Sequence, residues 1–266
     1  MIVLVLDIET TGLSQENDSI TVIGTIVYDS RTHTTISEKC FNVVVAQESL
    51  NAQALLQMKK EVATLLDEAE CVVAFNGITF DMPFIIKWLQ SQGPAQGTPD
   101  ALGKRKTREA GADIAPEHIA RTGADVSEGA DKDRWSHKYL DFCQLSKEYT
   151  GAYISLHNAC LKNKIQVAKN GSGVKAIQWA KDKEWELLES YCMQDVVVLL
   201  ALTKHAIDCG LTLPLSRYGR RTKNTDDSIV LRFDAAMKPF VDNAGPAWCI
   251  FDPASPRVLA FDTNTP

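Results

Sequence analysis

The chain has 266 residues, 45% hydrophobic and 23% charged, with a formal charge of −6, which suits one substantial globular domain with appendages. No apolar run approaches the roughly 18 to 20 residues that span a bilayer, and the apolar N-terminus lacks a basic flank, so a cytosolic or nuclear protein is expected. Seven cysteines, at 40, 71, 143, 160, 192, 209 and 249, form no C-x-x-C pair and read as reduced core residues, pointing to neither zinc nor disulfides.

Residues 1–6 form an unbroken apolar run of strand length, followed by Asp7-Ile8-Glu9-Thr10-Thr11-Gly12. Two carboxylates therefore arrive at the end of a strand buried on both faces. The side-chain period of two points Asp7 and Glu9 the same way. Like charges so close in a low dielectric are costly unless one is protonated or a cation lies between them, and hard oxygen ligands suit Mg²⁺ or Mn²⁺. Standing alone, such a pair is more often a solvated strand end.

A polar turn at 12–18 leads to a β-branched second strand over 20–28 and a third over 36–45, an antiparallel meander. A helix over 48–69 carries Leu55, Leu56, Met58, Val62, Leu65 and Leu66 on its apolar positions. Residues 71–75 form a short apolar strand, consistent with a crossover to a parallel position. Asn76-Gly77 breaks it, and Asp81-Met82-Pro83 opens a helix through about Gln90. Asp81 also has the bland reading of a helix N-cap.

Residues 93–134 contain six Gly, three Pro and eight Ala, too little apolar bulk to bury, so a mobile insertion is expected there. Basic residues gather within it at Lys104, Arg105, Lys106 and Arg108, and again at Arg217, Arg220, Arg221 and Lys223. A local basic groove is all that a protein gripping a few terminal nucleotides needs; solvated surface charge is the alternative for both clusters. A strand around 138–141 ends in Asp141, read as a helix cap or a support to the site. Ser155 caps a short helix, a further helix spans about 174–181, and 184–209 reads as one long helix on which Tyr191 and Asp195 share a face. Tyr191 is otherwise a packed core aromatic. Beyond Gly210 the chain is proline-rich, with apolar pieces at 228–233 and 257–261, and is read as a C-terminal extension (211–266) packed on a main domain (1–210).

Asp7-x-Glu9, then Asn76-x-x-x-Phe80-Asp81-x-Pro83, then Tyr191-x-x-x-Asp195, taken in this order and spacing, resemble the three motifs of the DEDD superfamily of 3′-to-5′ exonucleases. Tyr191 four residues before Asp195 looks like the DEDDy branch, and the middle motif is most similar to the proofreading domain of family B DNA polymerases. The resemblance covers roughly residues 1–210. It implies an α/β, ribonuclease H-like fold: a mixed sheet of about five strands, the first three antiparallel, flanked by helices. It also implies hydrolysis of phosphodiesters from the 3′ end of single-stranded nucleic acid by two metal ions, Mg²⁺ or Mn²⁺. Asp7 would bridge both ions, Glu9 and Asp195 would complete one shell, and Asp81 would serve the other. Tyr191 would position the attacking water. Thr10, Thr11, Gly12 and Leu13 would lie beside the terminal nucleotide, with Asn76 and Phe80 along the substrate strand. Such contacts go to sugar, phosphate and base faces, so little sequence specificity is expected. DNA is the favoured substrate, RNA the first alternative, and a silent nucleic-acid-binding scaffold the alternative of a different class. A monomer is the default state.

Overall fold

The computed structural model describes residues 1–49, 51–91, 134–166, 173–214, 228–234 and 237–241. The segment 93–134, but for Arg134, both basic clusters and the piece at 257–261 lie outside these residues.

The chain opens with β1 (Ile2–Thr10), β2 (Ile20–Asp29) and β3 (Thr34–Asn42), joined antiparallel. Two helices follow, α1 (Val43–Glu48), which replaces the end of the strand expected over 36–45, and α2 (Ala52–Glu68), the helix expected over 48–69. Asn42 and Asn51 each accept a hydrogen bond from the backbone three residues on, so each starts a helix of its own. β4 (Cys71–Ala74) then returns parallel to β1, and β5 (Tyr139–Asp141) lies parallel to β4. Between them comes α3 (Asp81–Gln90). The sheet order is β3-β2-β1-β4-β5, the five-stranded mixed sheet expected, with its first three strands antiparallel.

Alternation along β1 assigns the two layers. Val3 and Val5 face a core shared with Val196, Leu199 and Leu202 of a long helix, whereas Leu4, Leu6 and Ile8 face α2 and α3 through Val62, Leu66, Phe84 and Ile85. After β5 come α4 (Phe142–Thr150), α5 (Leu156–Lys162), α6 (Gly173–Asp182) and the long α7 (Trp185–Cys209). Asp141 and Ser155 cap α4 and α5. A second antiparallel sheet of β6 (Leu211–Pro214), β7 (Ser228–Phe233) and β8 (Pro239–Val241) buries Leu211, Leu213, Ile229 and Leu231 in the core cluster that holds Val3 and Phe142.

The carboxylates sit at the end of a strand, as expected: the ladder of β1 with β2 pairs Asp7 with Gly24, Ile8 with Ile23 and Glu9 with Val22. Asp7 and Glu9 are therefore held by backbone pairing with β2, beyond the last β1–β4 pair at Val5, with a register shift at Glu9/Thr10.

Candidate metal centre

Asp7 and Glu9 continue the face that Val3 and Val5 turn toward α7. Asp195 projects from α7 onto the same ground, and one carboxylate oxygen from each of Asp7, Glu9 and Asp195 lies within 4.8 Å of the others. Gly24, opposite Asp7 on β2, makes this approach possible. A Cβ there would stand 2.9 Å from Cys192 Sγ and 2.9 Å from Val196 Cγ2, both on α7. Cys192 also donates its thiol to the Asp7 carbonyl at 3.6 Å.

Asp81 reaches the centre from a tight turn after β4. Asn76 adopts φ +68°, and the turn closes with Phe80 N–H to Asn76 O at 3.1 Å and Met82 N–H to Gly77 O at 2.8 Å. The buried Asp141 braces it. Its carboxylate accepts from the amides of Asn76 (2.8 Å) and Ile78 (3.1 Å) while also capping α4 through Cys143 (2.9 Å) and Gln144 (3.2 Å). The helix cap of α3 is Phe80, without a side-chain hydrogen bond, so Asp81 is not the N-cap that the Asp-Met-Pro pattern also allowed. Its Oδ2 is buried with no hydrogen-bond partner. Asp81 is not one of the three residues drawn within 4.8 Å of one another; it stands beside them, close enough to raise the Glu9 pKa.

Burial, and then the Asp195 charge, push the Asp7 carboxyl well above the usual carboxylate range. Burial, followed by Asp7, Asp195 and Asp81, raises Glu9 to about 9. Burial, and then the Asp7 and Asp141 charges, push Asp81 well above the usual carboxylate range. Among the described residues no lysine or arginine forms an ion pair with Asp7, Glu9 or Asp81. The four carboxylates, all hard oxygen donors and one with an orphaned buried oxygen, form a donor set that fits divalent ions of the Mg²⁺ or Mn²⁺ type. Tyr191 hydrogen-bonds Asp195, and burial together with that carboxylate raises its pKa. Trp179 of α6 packs on its ring at 5.8 Å between centroids.

The remaining predicted residues border this ground. Thr10 is buried and its hydroxyl donates to Gly12 O at 2.6 Å. Thr11 is held by Asp18 at 3.2 Å, and Leu13 is 77% exposed, so it is not a core residue. This loop is tied to its neighbours by Lys87 Nζ, which donates to Gln15 O (2.6 Å) and Glu16 O (3.1 Å), and by Gln15 Nε2, which donates to Thr79 O (2.9 Å). Asn76 is exposed with its Oδ1 accepting from Thr79 at 2.8 Å, and Phe80 stacks on Phe84 at 5.1 Å. All lie at the carboxyl ends of the parallel strands β1, β4 and β5, where open α/β sheets place their ligands. One residue of this ground was missed in the sequence: Tyr139, which shares a strand face with Asp141 and carries a buried hydroxyl without a partner. The period of two backward from Asp141 was the available signal.

A family model described as the RNase_H superfamily matches residues 4–107, a stretch that carries Asp7, Glu9 and Asp81. No curated protein matches the chain. Among solved structures the chain is similar to exonuclease I, at 12% identity and a TM-score of 0.42 over 77% of this chain and 40% of that one. It is similar, too, to E. coli exonuclease I in complex with a dT13 oligonucleotide, at 12% identity and a TM-score of 0.41, again over 77% and 40%. The chain thus spans about 40% of the length of these proteins.

Proposed function

From a ribonuclease H-like α/β fold with acidic residues clustered at the carboxyl ends of its parallel strands, we propose that the protein is a metal-dependent 3′-to-5′ exonuclease acting on single-stranded nucleic acid, DNA in preference to RNA. The observation that carries this reading is the convergence of Asp7, Glu9 and Asp195 within 4.8 Å, without an ion-paired lysine or arginine at Asp7 or Glu9 among the described residues. The family-model match supports the nuclease class, and the order and spacing of the three motifs support the DEDDy subtype and the preference for DNA.

Asp7, Glu9, Asp81 and Asp195 would hold the ions. Divalent ions held there would supply Lewis-acid polarisation of the scissile phosphate and acidify the attacking water. The chain itself organises what surrounds them. Tyr191, with its pKa raised and its hydroxyl on Asp195, stays a neutral phenol at physiological pH; it orients by hydrogen bonding and does not remove a proton. Leu13 presents an apolar side chain to the terminal base from a loop tied to α3 through Lys87. Asn76, held in its turn by Asp141, and Phe80, packed on Phe84, line the path of the strand. These are backbone and base-face contacts, so the protein is indifferent to sequence.

The test is digestion of 5′-labelled single-stranded DNA and RNA with Mg²⁺, Mn²⁺ or EDTA, beside Asp7→Ala, Glu9→Ala, Asp81→Ala and Asp195→Ala. A metal-dependent ladder shortening from the 3′ end, lost in each variant, is the expected result. An RNA ladder in place of a DNA ladder favours an exoribonuclease. Binding without cleavage of either strand overturns the enzymatic reading in favour of a binding scaffold.

A further inference from the structure

Two buried oxygens at this centre lack hydrogen-bond partners, Asp81 Oδ2 and the hydroxyl of Tyr139. They belong to different elements: Asp81 opens α3, and Tyr139 opens β5. Tyr139 pairs in register with Val72 and Asp141 with Ala74, so both point to the face of the sheet covered by α3, where Tyr139 packs against the cluster of Phe84 and Ile85. The carboxylates that act on the Tyr139 hydroxyl are, strongest first, Asp81, Asp141 and Asp7. Asp141 is already engaged by four amides. Asp81 is not.

Gly77 separates the two groups. A Cβ at that position would come 2.8 Å from Asp81 Oδ2 and 3.4 Å from Tyr139 Cε1. The absence of a side chain therefore keeps open the space that the carboxylate and the phenol share. The chemistry of the two groups is complementary, since an ionised carboxylate only accepts and a phenol hydroxyl donates. The terminal torsion of an aspartate is broad, so a small rotation of the Asp81 carboxylate toward the hydroxyl meets little resistance. A buried hydroxyl with nothing to bond is destabilising relative to a phenylalanine of the same shape. Tyrosine at position 139 is therefore explained by what it does when the carboxylates are ionised.

We propose that Tyr139 is a positioning residue of the metal centre, its hydroxyl donating to Asp81 Oδ2 and fixing the plane in which that carboxylate meets a divalent ion. The proposal rests on the reading of Asp7, Glu9, Asp81 and Asp195 as a metal centre. Partners that orient a ligating group in this way are typically worth 10- to 100-fold in metal affinity.

The experiment titrates the protein with Mn²⁺ alone and follows free Mn²⁺ by electron paramagnetic resonance, for the wild type, Tyr139→Phe, Asp81→Asn, the double variant and Asp7→Asn. Tyr139→Phe is expected to weaken Mn²⁺ binding about tenfold or more. It should also melt at the same temperature as the wild type or higher without metal, because the hydroxyl it deletes has no partner. In the Asp81→Asn background the same substitution is expected to change nothing further. Wild-type Mn²⁺ affinity in Tyr139→Phe overturns the proposal, as does an equal loss with and without Asp81. Asp7→Asn separates the two levels: if it leaves Mn²⁺ affinity intact, the centre itself is misread, whatever Tyr139 does.

Discussion

Tyr191 illustrates how little a side chain's identity says without its surroundings. Its ring is held by Trp179, its hydroxyl is committed to Asp195, and burial among carboxylates keeps its proton on. Tyr191→Phe is expected to reduce turnover about 10- to 1,000-fold, within the range of a positioned proton-transfer group. Because the phenol does not ionise between pH 6 and 9, the pH–rate profile of the variant should keep the wild-type shape over that range. Loss in the variant of a rise in rate with pH that the wild type shows would make Tyr191 a true base and contradict the positioning role. At this scale the acidic residues were legible because each sits beside an unmistakable landmark: Asp7 and Glu9 after an apolar run, Asp81 after Asn-Gly and before Pro, and Asp195 on a long helical pattern. Tyr139 was not, because a tyrosine in a strand is ordinarily a packing residue. Only the turn of residues 76–80, folded against it from elsewhere in the chain, makes it more.

The elements place these residues by close approach. Gly24 is the point at which α7 rests on the sheet, and Gly24→Ala would drive a Cβ to 2.9 Å from Cys192 Sγ and from Val196 Cγ2. The substitution is expected to cost about 1–3 kcal/mol in urea unfolding, as overpacking of a close-packed core does. It should also weaken Mn²⁺ binding by pushing Asp195 away from Asp7. Adding Cys192→Ala should recover part of both losses; no recovery would show that α7 is seated by other contacts. Helices were readable at this scale wherever apolar periodicity ran long, so α3 spans the expected 81–90 and α7 falls within one residue of expectation. The strand expected over 36–45 ran three residues too far because Val43, Val44 and Val45 are β-branched, whereas Asn42 caps them into α1. β6 and β8 escaped notice because strands of four and three residues have no period of their own; pairing with β7 makes them strands.

For the whole molecule, the acidic centre couples metal, protons and stability. The folded chain holds Glu9 at about 9 against an ordinary 4.5, and raises Asp7 and Asp81 as well. Between those values the native state binds protons that the unfolded chain has released, so stability without metal is greatest at the acidic end and falls as pH rises toward 9. Melting in EDTA should therefore drop across pH 5.5 to 9, and Mg²⁺ should raise the melting temperature more at pH 9 than at pH 6, since the ion takes the place of the protons. A melting temperature in EDTA that is flat over this range would mean that the carboxylates are not strained together. The mixed sheet and its flanking helices were foreseeable from the order of apolar segments, whereas the depth of this electrostatic coupling emerges only once β1, α3 and α7 meet. That meeting has a consequence in time. Asp7, Glu9 and Asp81 lie in the first third of the chain, and Asp195 follows more than a hundred residues later. At the roughly 5–20 residues per second of protein synthesis, the early carboxylates leave the ribosome on the order of ten seconds before their partner. If the chain is the nuclease proposed above, it is born disarmed: until α7 docks over Gly24, it cannot complete the centre.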